Sequence, residues 1–515
     1  MSGPKLVLLI AGLCLALFLL GLDTAIVSTA VPKITETFNS TRDIGWYGSA
    51  YFLALCSLLP LGGKLYSEFS LKVWQTGISW TFLGFFAVFE LGSLLCALAT
   101  SSTMLIVGRA IAGAGGSGII SGIMTIIAHV IPLEKRAGYM ALGGATMGIS
   151  TISGPLVGGA LTQRVSWRWC FYINLPVGAL TAIALVALFH PPVRPNEKKQ
   201  LTVRVKKLDL IGAALFIPST VMLLLALQWA GIEYPWKSAT IIGLFCGFGG
   251  LFAVFVTWQV YKGDDAMIPL SLLRKRAIIA NSLTSMCVFG SLFVVIYYLP
   301  EWFQAIKDAS PVTSGVMNIA LFLPQIIGSI IAGTMITKLG YCEPWILAGC
   351  AFSSIAAGLY SIFQIETGHG AWIGFQVLNG LGAGFSMETP LTAAQTVMRV
   401  EETGVGIAAV TFFQFFGSSI FLAIAQTVFS STLTSELAKN LPEFDVPALT
   451  HLGMPAIRSF VTPEELPTVL AAYNRAITNT FYVAAGASTC GFFAALLGEW
   501  NSVKVKNVAA AHKAV

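Results

Sequence analysis

Three ionisable residues, Asp23, Glu90 and Arg109, interrupt otherwise apolar stretches of this 515-residue chain. A charge placed in hydrocarbon costs roughly 2.5–3.5 kcal/mol or more, so each is a functional candidate by default. Counted at 1.5 Å per residue from the outer ends of their helices, Asp23 and Arg109 fall about 9–11 Å deep and Glu90 about 13 Å. Opposite charges at one depth can pair, and pairing makes their burial tolerable. A carboxylate beside an arginine stays ionised, and withdrawing the arginine lets it take up a proton. That is the chemistry of a proton switch. The competing reading is a static ion pair that fixes the helices.

A second group lies towards the C-terminus. Glu388 sits in Phe385-Ser386-Met387-Glu388-Thr389-Pro390. It either faces a central cavity, where it attracts a cationic or polar substrate group or titrates, or is a carboxylate near the cytoplasmic edge reached by water. Gln395, Gln414 and Gln426 add amides, and Gln414 lies among Phe412, Phe413, Phe415 and Phe416. Aromatic walls with a few amides suit a large, mostly apolar, oxygen-rich ligand, although at least half of these rings are expected to face lipid. Other chemistries lack their residues. There is no Gly-x-x-x-x-Gly-Lys-Ser/Thr phosphate loop, no His/Cys/Asp cluster with metal-ligand spacing, and no Gly-x-Ser-x-Gly nucleophile. No enzyme activity, cofactor or metal is expected. The nine cysteines are scattered singly, which excludes a disulfide framework.

The elements that position these residues are membrane helices. The chain is 56% hydrophobic and only 10% charged, with mean hydropathy +0.78, a composition that belongs in a bilayer. Backbone in lipid must satisfy its own hydrogen bonds, so the class is all-α and polytopic. Spans are expected at 6–30, 45–62, 76–99, 103–130, 139–162, 172–190, 209–229, 239–260, 277–300, 313–336, 345–363, 371–397, 405–430 and 475–498. The first is longer than the usual apolar core of a signal peptide and carries Asp23, so it reads as a retained helix. Fourteen crossings put both termini on one side. With that side cytoplasmic, its connections hold 20 Lys and Arg against 9 outside, the expected positive-inside bias. The net charge of +6 is thus a topology signal and does not argue for nucleic acid. No feature sets an oligomeric state.

A weak internal repeat gives the domains. Arg109-Ala-Ile-Ala-Gly113-Ala-Gly115 matches Gln376-Val-Leu-Asn-Gly380-Leu-Gly382, and Gly63 to Lys72 matches Gly333 to Cys342. Both pair a span with the one eight further on. The expected organisation is a six-helix bundle over 1–190, a basic loop over 191–208, two inserted helices over 209–260, a cytoplasmic loop over 261–276, a second six-helix bundle over 277–498 and a tail over 499–515. Repeated halves with a site at their midplane interface are a transporter architecture. A long outside loop is expected over 431–474, with a short surface helix from Pro463 to Tyr473. Asn39-Ser40-Thr41 is a sequon in the first outside loop; it is either glycosylated or left unused so near the membrane.

Between Gly143 and Gly178 the chain turns glycine-rich. Gly144, Gly148, Gly154, Gly158 and Gly159 allow close helix approach, and Pro155 removes a backbone donor and is expected to bend its helix. A pivot between moving halves and a static packing helix both fit. The Gly154-Pro155-Leu156-Val157-Gly158-Gly159 run, followed by Trp167-Arg168-Trp169-Cys170-Phe171-Tyr172-Ile173-Asn174-Leu175-Pro176-Val177-Gly178, resembles the antiporter motif and next helix entry of the major facilitator superfamily. Leu22-Asp23-Thr24-Ala25 through Ile34 resembles the first-helix signature of its fourteen-helix drug:proton antiporter group. Gly108-Arg109-Ala110-Ile111-Ala112-Gly113 resembles its fourth-helix arginine motif. The likeness is greatest to the fungal toxin-efflux branch.

That resemblance implies a proton-coupled exporter of a small organic molecule, a secondary metabolite, toxin or drug. It links Asp23 and Arg109 to proton coupling, with Glu90 a further candidate. The plasma membrane is the expected location, the vacuolar membrane the alternative. An importer or exchanger, of siderophores or basic amino acids, is the alternative transport reading, and a non-transporting receptor or scaffold is the reading from another class. Three departures stand out. Ser67 occupies the usual acidic position of the loop motif in Gly62 to Lys72, so the family's inner-gate pair does not carry over. Trp74 to Thr81 lengthens span three. Glu301 follows Pro300 where an apolar residue is expected, which places it at the outer interface.

Overall fold

A computed structural model describes residues 4–38, 43–68, 80–188, 208–231, 233–399, 402–441 and 461–504. The helices are α1 (Pro4–Phe38), α2 (Ile44–Glu68), α3 (Trp80–Ala97), α4 (Ser102–Val130), α5 (Leu133–Arg164), α6 (Trp169–Tyr172), α7 (Asn174–Leu188), α8 (Leu210–Trp229), α9 (Ala239–Lys262), α10 (Leu270–Leu273), α11 (Arg276–Ala305), α12 (Pro311–Met317), α13 (Ile319–Leu339), α14 (Glu343–Tyr360), α15 (His369–Ser386), α16 (Thr389–Gln395), α17 (Thr403–Asn440) and α18 (Leu466–Leu496). Among the described residues, nine helices are long and apolar enough to cross a membrane. Asn39, the basic loop over 194–207 and most of the Trp74 to Thr81 extension lie outside the described residues.

Glycine decides how the helices nest. A Cβ on Gly113 would lie 2.2 Å from the Tyr51 carbonyl of α2, and one on Gly115 would lie 2.3 Å from the Phe89 backbone of α3. Hence α4 lies sandwiched between α2 and α3. The repeated string does the same job in α15. There a Cβ on Gly380 would lie 2.2 Å from the Leu321 carbonyl of α13, and one on Gly382 would meet Ser353 of α14. Side-chain hydroxyls cap several starts: Ser101 accepts from the Met104 amide, Ser238 from Ile241 and Ser310 from Thr313, each filling an orphan donor. At the end of α13, Gly340 adopts φ +94°, the left-handed stop that glycine takes without strain.

Three expected spans are interrupted. The span at 172–190 begins as α6 and resumes as α7 after Ile173, 313–336 divides at Asn318, and 371–397 divides at Met387 and Glu388. Pro390 lies at the start of α16, where its missing amide is no loss. Within the expected loop over 431–474, α17 runs on to Asn440, and residues 466–473 are the first part of α18 and not a separate surface helix. The cause is burial: Val469, Ala472 and Tyr473 share one core with Leu433 and Leu437. Glu301 lies inside α11, which continues to Ala305, because Trp302 and Phe303 beyond it are fully buried. The Trp302 indole donates to Asn474 Oδ1 at 2.8 Å.

Two seams join the N-terminal helices to the C-terminal ones: α5 on α13, and α2 on α17. In the first, a Cβ on Gly333 would lie 2.8 Å from the Ala137 carbonyl. In the second, a Cβ on Gly63 would lie 2.3 Å from Ala408 and 2.8 Å from the Gly404 carbonyl. Helix α8 touches both α2 and α17, and α9 packs on α8.

Candidate functional site: a buried ion pair and a carboxylate on the seam

Asp23 on α1 and Arg109 on α4 are each 0% exposed. Arg109 Nη1 donates to Asp23 Oδ2 at 2.5 Å, and Nε donates to the Tyr47 carbonyl at 2.9 Å. The Tyr51 ring lies 4.6 Å from the guanidinium carbon, a cation–π contact that strengthens away from water. Gly108 helps place the arginine, since a Cβ there would strike Cys96 of α3 at 2.8 Å. The other oxygen, Asp23 Oδ1, accepts from Asn174 Nδ2 at 3.0 Å, and the same nitrogen donates to Ser93 Oγ at 3.1 Å. Asn174 is the first residue of α7, just past the break at Ile173.

Above the pair, Ser102 donates to Asp43, and the Tyr47 hydroxyl lies 2.9 Å from Ser102 Oγ. These contacts close the α2–α4 junction. An unpaired charge here would carry the full desolvation penalty, so the two residues hold one another in place.

Glu90 does not join the pair. It packs against α7, where a Cβ on Gly178 would lie 1.8 Å from Glu90 Oε1, and neither carboxylate oxygen has a partner among the described residues. The expected three-charge cluster is therefore a pair with a separate carboxylate nearby. Depth counted along the sequence sets height only; the turn of α3 decides direction.

Glu388 lies at the α15–α16 break and faces α5, 3.5 Å from where a Gly144 Cβ would be. It lines a narrow crevice on the α5–α13 seam with Ser329, Thr389, Thr392, Met140 and Gly333. No hydrogen bond or ion pair to its carboxylate occurs among the described residues. Gln414 Nε2 donates to the Met387 carbonyl at 3.4 Å, one residue from Glu388. Gln395 lies elsewhere. It is 2% exposed, and Arg136 Nη1 of α5 donates to its Oε1 at 3.1 Å. It ties the two halves near the α4–α5 turn and does not line that crevice. Gln426 accepts from the Tyr298 hydroxyl at 2.7 Å.

The phenylalanines around Gln414 are not spread over a lipid face. Phe415 meets Phe52 of α2 and Phe289 of α11, and Phe412 meets Phe216 of α8 and Phe416.

The glycines of α5 divide by face. A Cβ on Gly154 would lie 2.4 Å from Ala25, and one on Gly158 would lie 2.3 Å from Thr29, both on α1. A Cβ on Gly148 would lie 3.0 Å from Ile326 of α13, while one on Gly159 would enter open space. Pro155 lies within α5, which continues to Arg164. One helix thus packs on the helix that carries Asp23 and on the opposite half.

A family profile, Major Facilitator Superfamily, matches residues 13–422. The chain belongs to the major facilitator superfamily. It is accordingly a multi-pass membrane protein and a transporter of small molecules, not an enzyme. An MFS-type efflux pump of Arthroderma benhamiae is 41% identical over 508 residues, covering 98% of this chain and 94% of the relative. The aspyridones efflux protein of Neocamarosporium betae is 40% identical over 508 residues, covering 98% and 89%. The likeness thus falls in the fungal efflux branch whose motifs the sequence carries. The proton:xylose symporter XylE, bound to 6-bromo-6-deoxy-D-glucose, superposes with a TM-score of 0.61 at 13% identity. The aligned region covers 97% of this chain and 98% of that one, a likeness of fold alone.

Sequence reasoning gave no role to Asn174, which the structure places against Asp23. It stands within the Ile173-Asn174-Leu175-Pro176 motif, and its signal is an amide in a run that could otherwise be wholly apolar.

Proposed function

We propose that this transporter exports a small organic molecule in exchange for protons, by alternating access at the interface of two six-helix bundles. In this reading α6 with α7, α12 with α13, and α15 with α16 each make one crossing. Fourteen crossings result, with α8 and α9 inserted between the bundles and both termini cytoplasmic. The observation that carries the coupling is the buried Asp23–Arg109 pair. A carboxylate held by one arginine and one amide is neutralised by a single proton, and the proton then competes with the arginine for it.

Protonation of Asp23 releases Arg109, and Glu90 supplies a second carboxylate on the same side of the bundle. Helix α5 transmits the change, because Gly154 and Gly158 pack on α1 while Gly148 and Gly144 face the opposite half. The cargo is a secondary metabolite, toxin or drug, in keeping with relatives named as efflux pumps, one of them for aspyridones. Glu388, with Gln414 beside it, is the polar contact for cargo on the seam, and the plasma membrane is the expected location.

The test is flux in sealed vesicles containing the full chain. A panel of apolar, oxygen-rich metabolites is loaded, a pH gradient imposed, and each compound followed with and without an uncoupler. Gradient-driven movement of one compound, abolished by the uncoupler and by Asp23→Asn, is expected. Movement that survives Asp23→Asn would overturn the role given to Asp23. Movement down the proton gradient together with the compound would make this an importer.

A further inference from the structure

We infer that Asn174 is a positioning residue that sets how readily Asp23 exchanges its proton, an inference that rests on Asp23 being the proton carrier. The amide is 0% exposed and stands where α6 gives way to α7. Its nitrogen donates to Asp23 Oδ1 at 3.0 Å and to Ser93 Oγ at 3.1 Å, while its oxygen has no partner among the described residues.

An ionised carboxylate only accepts hydrogen bonds, whereas a protonated one also donates. A primary amide can serve both forms. In the present orientation its N–H supports the carboxylate. Turned over, its free Oδ1 would accept from the Asp23 O–H once Arg109 has gone. Both protonation states of Asp23 would then find a partner in one side chain, and the Asp23 O–H would not be left orphaned.

The groups around Asp23 leave this task to Asn174. Helix α4 supplies Arg109, whose Nη1 is already on Asp23 Oδ2. Helix α2 supplies Tyr47, whose hydroxyl is turned to Ser102, and Tyr51, whose ring lies over the guanidinium. Helix α3 supplies Glu90, turned to Gly178, Cys96, whose thiol donates to the Leu105 carbonyl, and Ser93, which holds the amide. From α6, the Cys170 thiol turns to Thr162 and the Gly158 carbonyl of α5. Helix α5 itself faces Asp23's own helix with Ser150, against Gly21, and with Gly154 and Gly158.

The experiment is infrared difference spectroscopy of the full chain in vesicles, titrating the carbonyl band of protonated carboxylic acids against pH. The band lost in Asp23→Asn is the Asp23 signal. Removing the amide in Asn174→Ala should shift the midpoint of that band by up to about one pH unit to the alkaline side, the excess of a hydrogen bond to the charged form over one to the neutral form. Ser93→Ala frees the amide to rotate without removing it. It should shift the midpoint in the same direction by less, and it keeps the inference testable where Asn174→Ala does not fold. A merely structural role would lower thermal stability and leave the midpoint in place. A band that depends on Asp23 but has one midpoint in wild type and in the folded variants overturns the role of Asn174 alone. A titration unchanged by Asp23→Asn overturns the proton-carrier reading, and this inference with it.

Discussion

Deleting one partner of the buried pair should cost more than deleting both. In Arg109→Met the Asp23 carboxylate keeps only the 3.0 Å bond from Asn174 and loses its counter-charge at 0% exposure. Removing one partner of such a pair costs about 3–5 kcal/mol, because the survivor stays buried and uncompensated. In Asp23→Asn the guanidinium keeps the Tyr47 carbonyl and the Tyr51 ring, which makes its loss the smaller of the two, about 2–3 kcal/mol. The double variant Asp23→Asn/Arg109→Met buries no charge at this position. It should recover about 2 kcal/mol relative to Arg109→Met, so that its cost falls well short of the sum of the two single costs.

The assay is denaturant unfolding of the four proteins in mixed micelles, read as a double-mutant cycle. All three variants should also lose proton-driven transport, so that stability and function separate in the double variant. Effects that simply add would refute the reasoning, since they would mean that the 2.5 Å contact carries no mutual energy.

Further outcomes follow from the packing and the charges. Gly154→Val and Gly158→Val should each destabilise by about 1–3 kcal/mol, because a Cβ at either position overlaps α1, while Gly159→Ala should be neutral; thermal unfolding of purified protein separates them. Asp209 caps α8 just outside its observed apolar span, Leu210–Trp229; burial raises its carboxyl but is outweighed by hydrogen bonds from Trp258, Gln259 and the Met267 and Gly212 amides, which hold it below its ordinary value. A depressed carboxylate contributes stability that is present above the unfolded value, about 3.9, and is lost as pH falls through the folded one. Asp209→Asn should therefore be less stable than wild type at neutral pH, with the difference shrinking on acidification below about pH 4, as unfolding midpoints measured across that range would show. Glu388→Gln should leave the fold intact, since no partner is lost among the described residues, but weaken transport of cationic compounds relative to neutral ones; equal loss for both classes in vesicle flux would remove Glu388 from cargo recognition.

Much of this protein was legible in residue order. Scarce charge and recurrent apolar runs decide a helical membrane protein, because lipid offers the backbone no partner. The spacing of Gly113 and Gly115, repeated at Gly380 and Gly382, already held the packing of α4 and α15, since close approach needs the missing Cβ wherever the chain lies. Asp23 and Arg109 announced themselves by the cost of their burial.

Direction was not legible. Glu90 lies at nearly the depth of the pair, yet it faces Gly178, because the rotation of α3 about its axis is set by its neighbours and not by its own sequence. Gln395 and Gln414 look alike in an apolar run; only the approach of α5 gives the first to Arg136 and leaves the second beside Glu388. The breaks at Ile173 and Met387 are invisible to hydropathy, since a broken crossing is as apolar as a whole one. Asn174 gained its role from the same cause: a hydrogen bond between residues 151 positions apart exists only once α1, α3 and α7 have met.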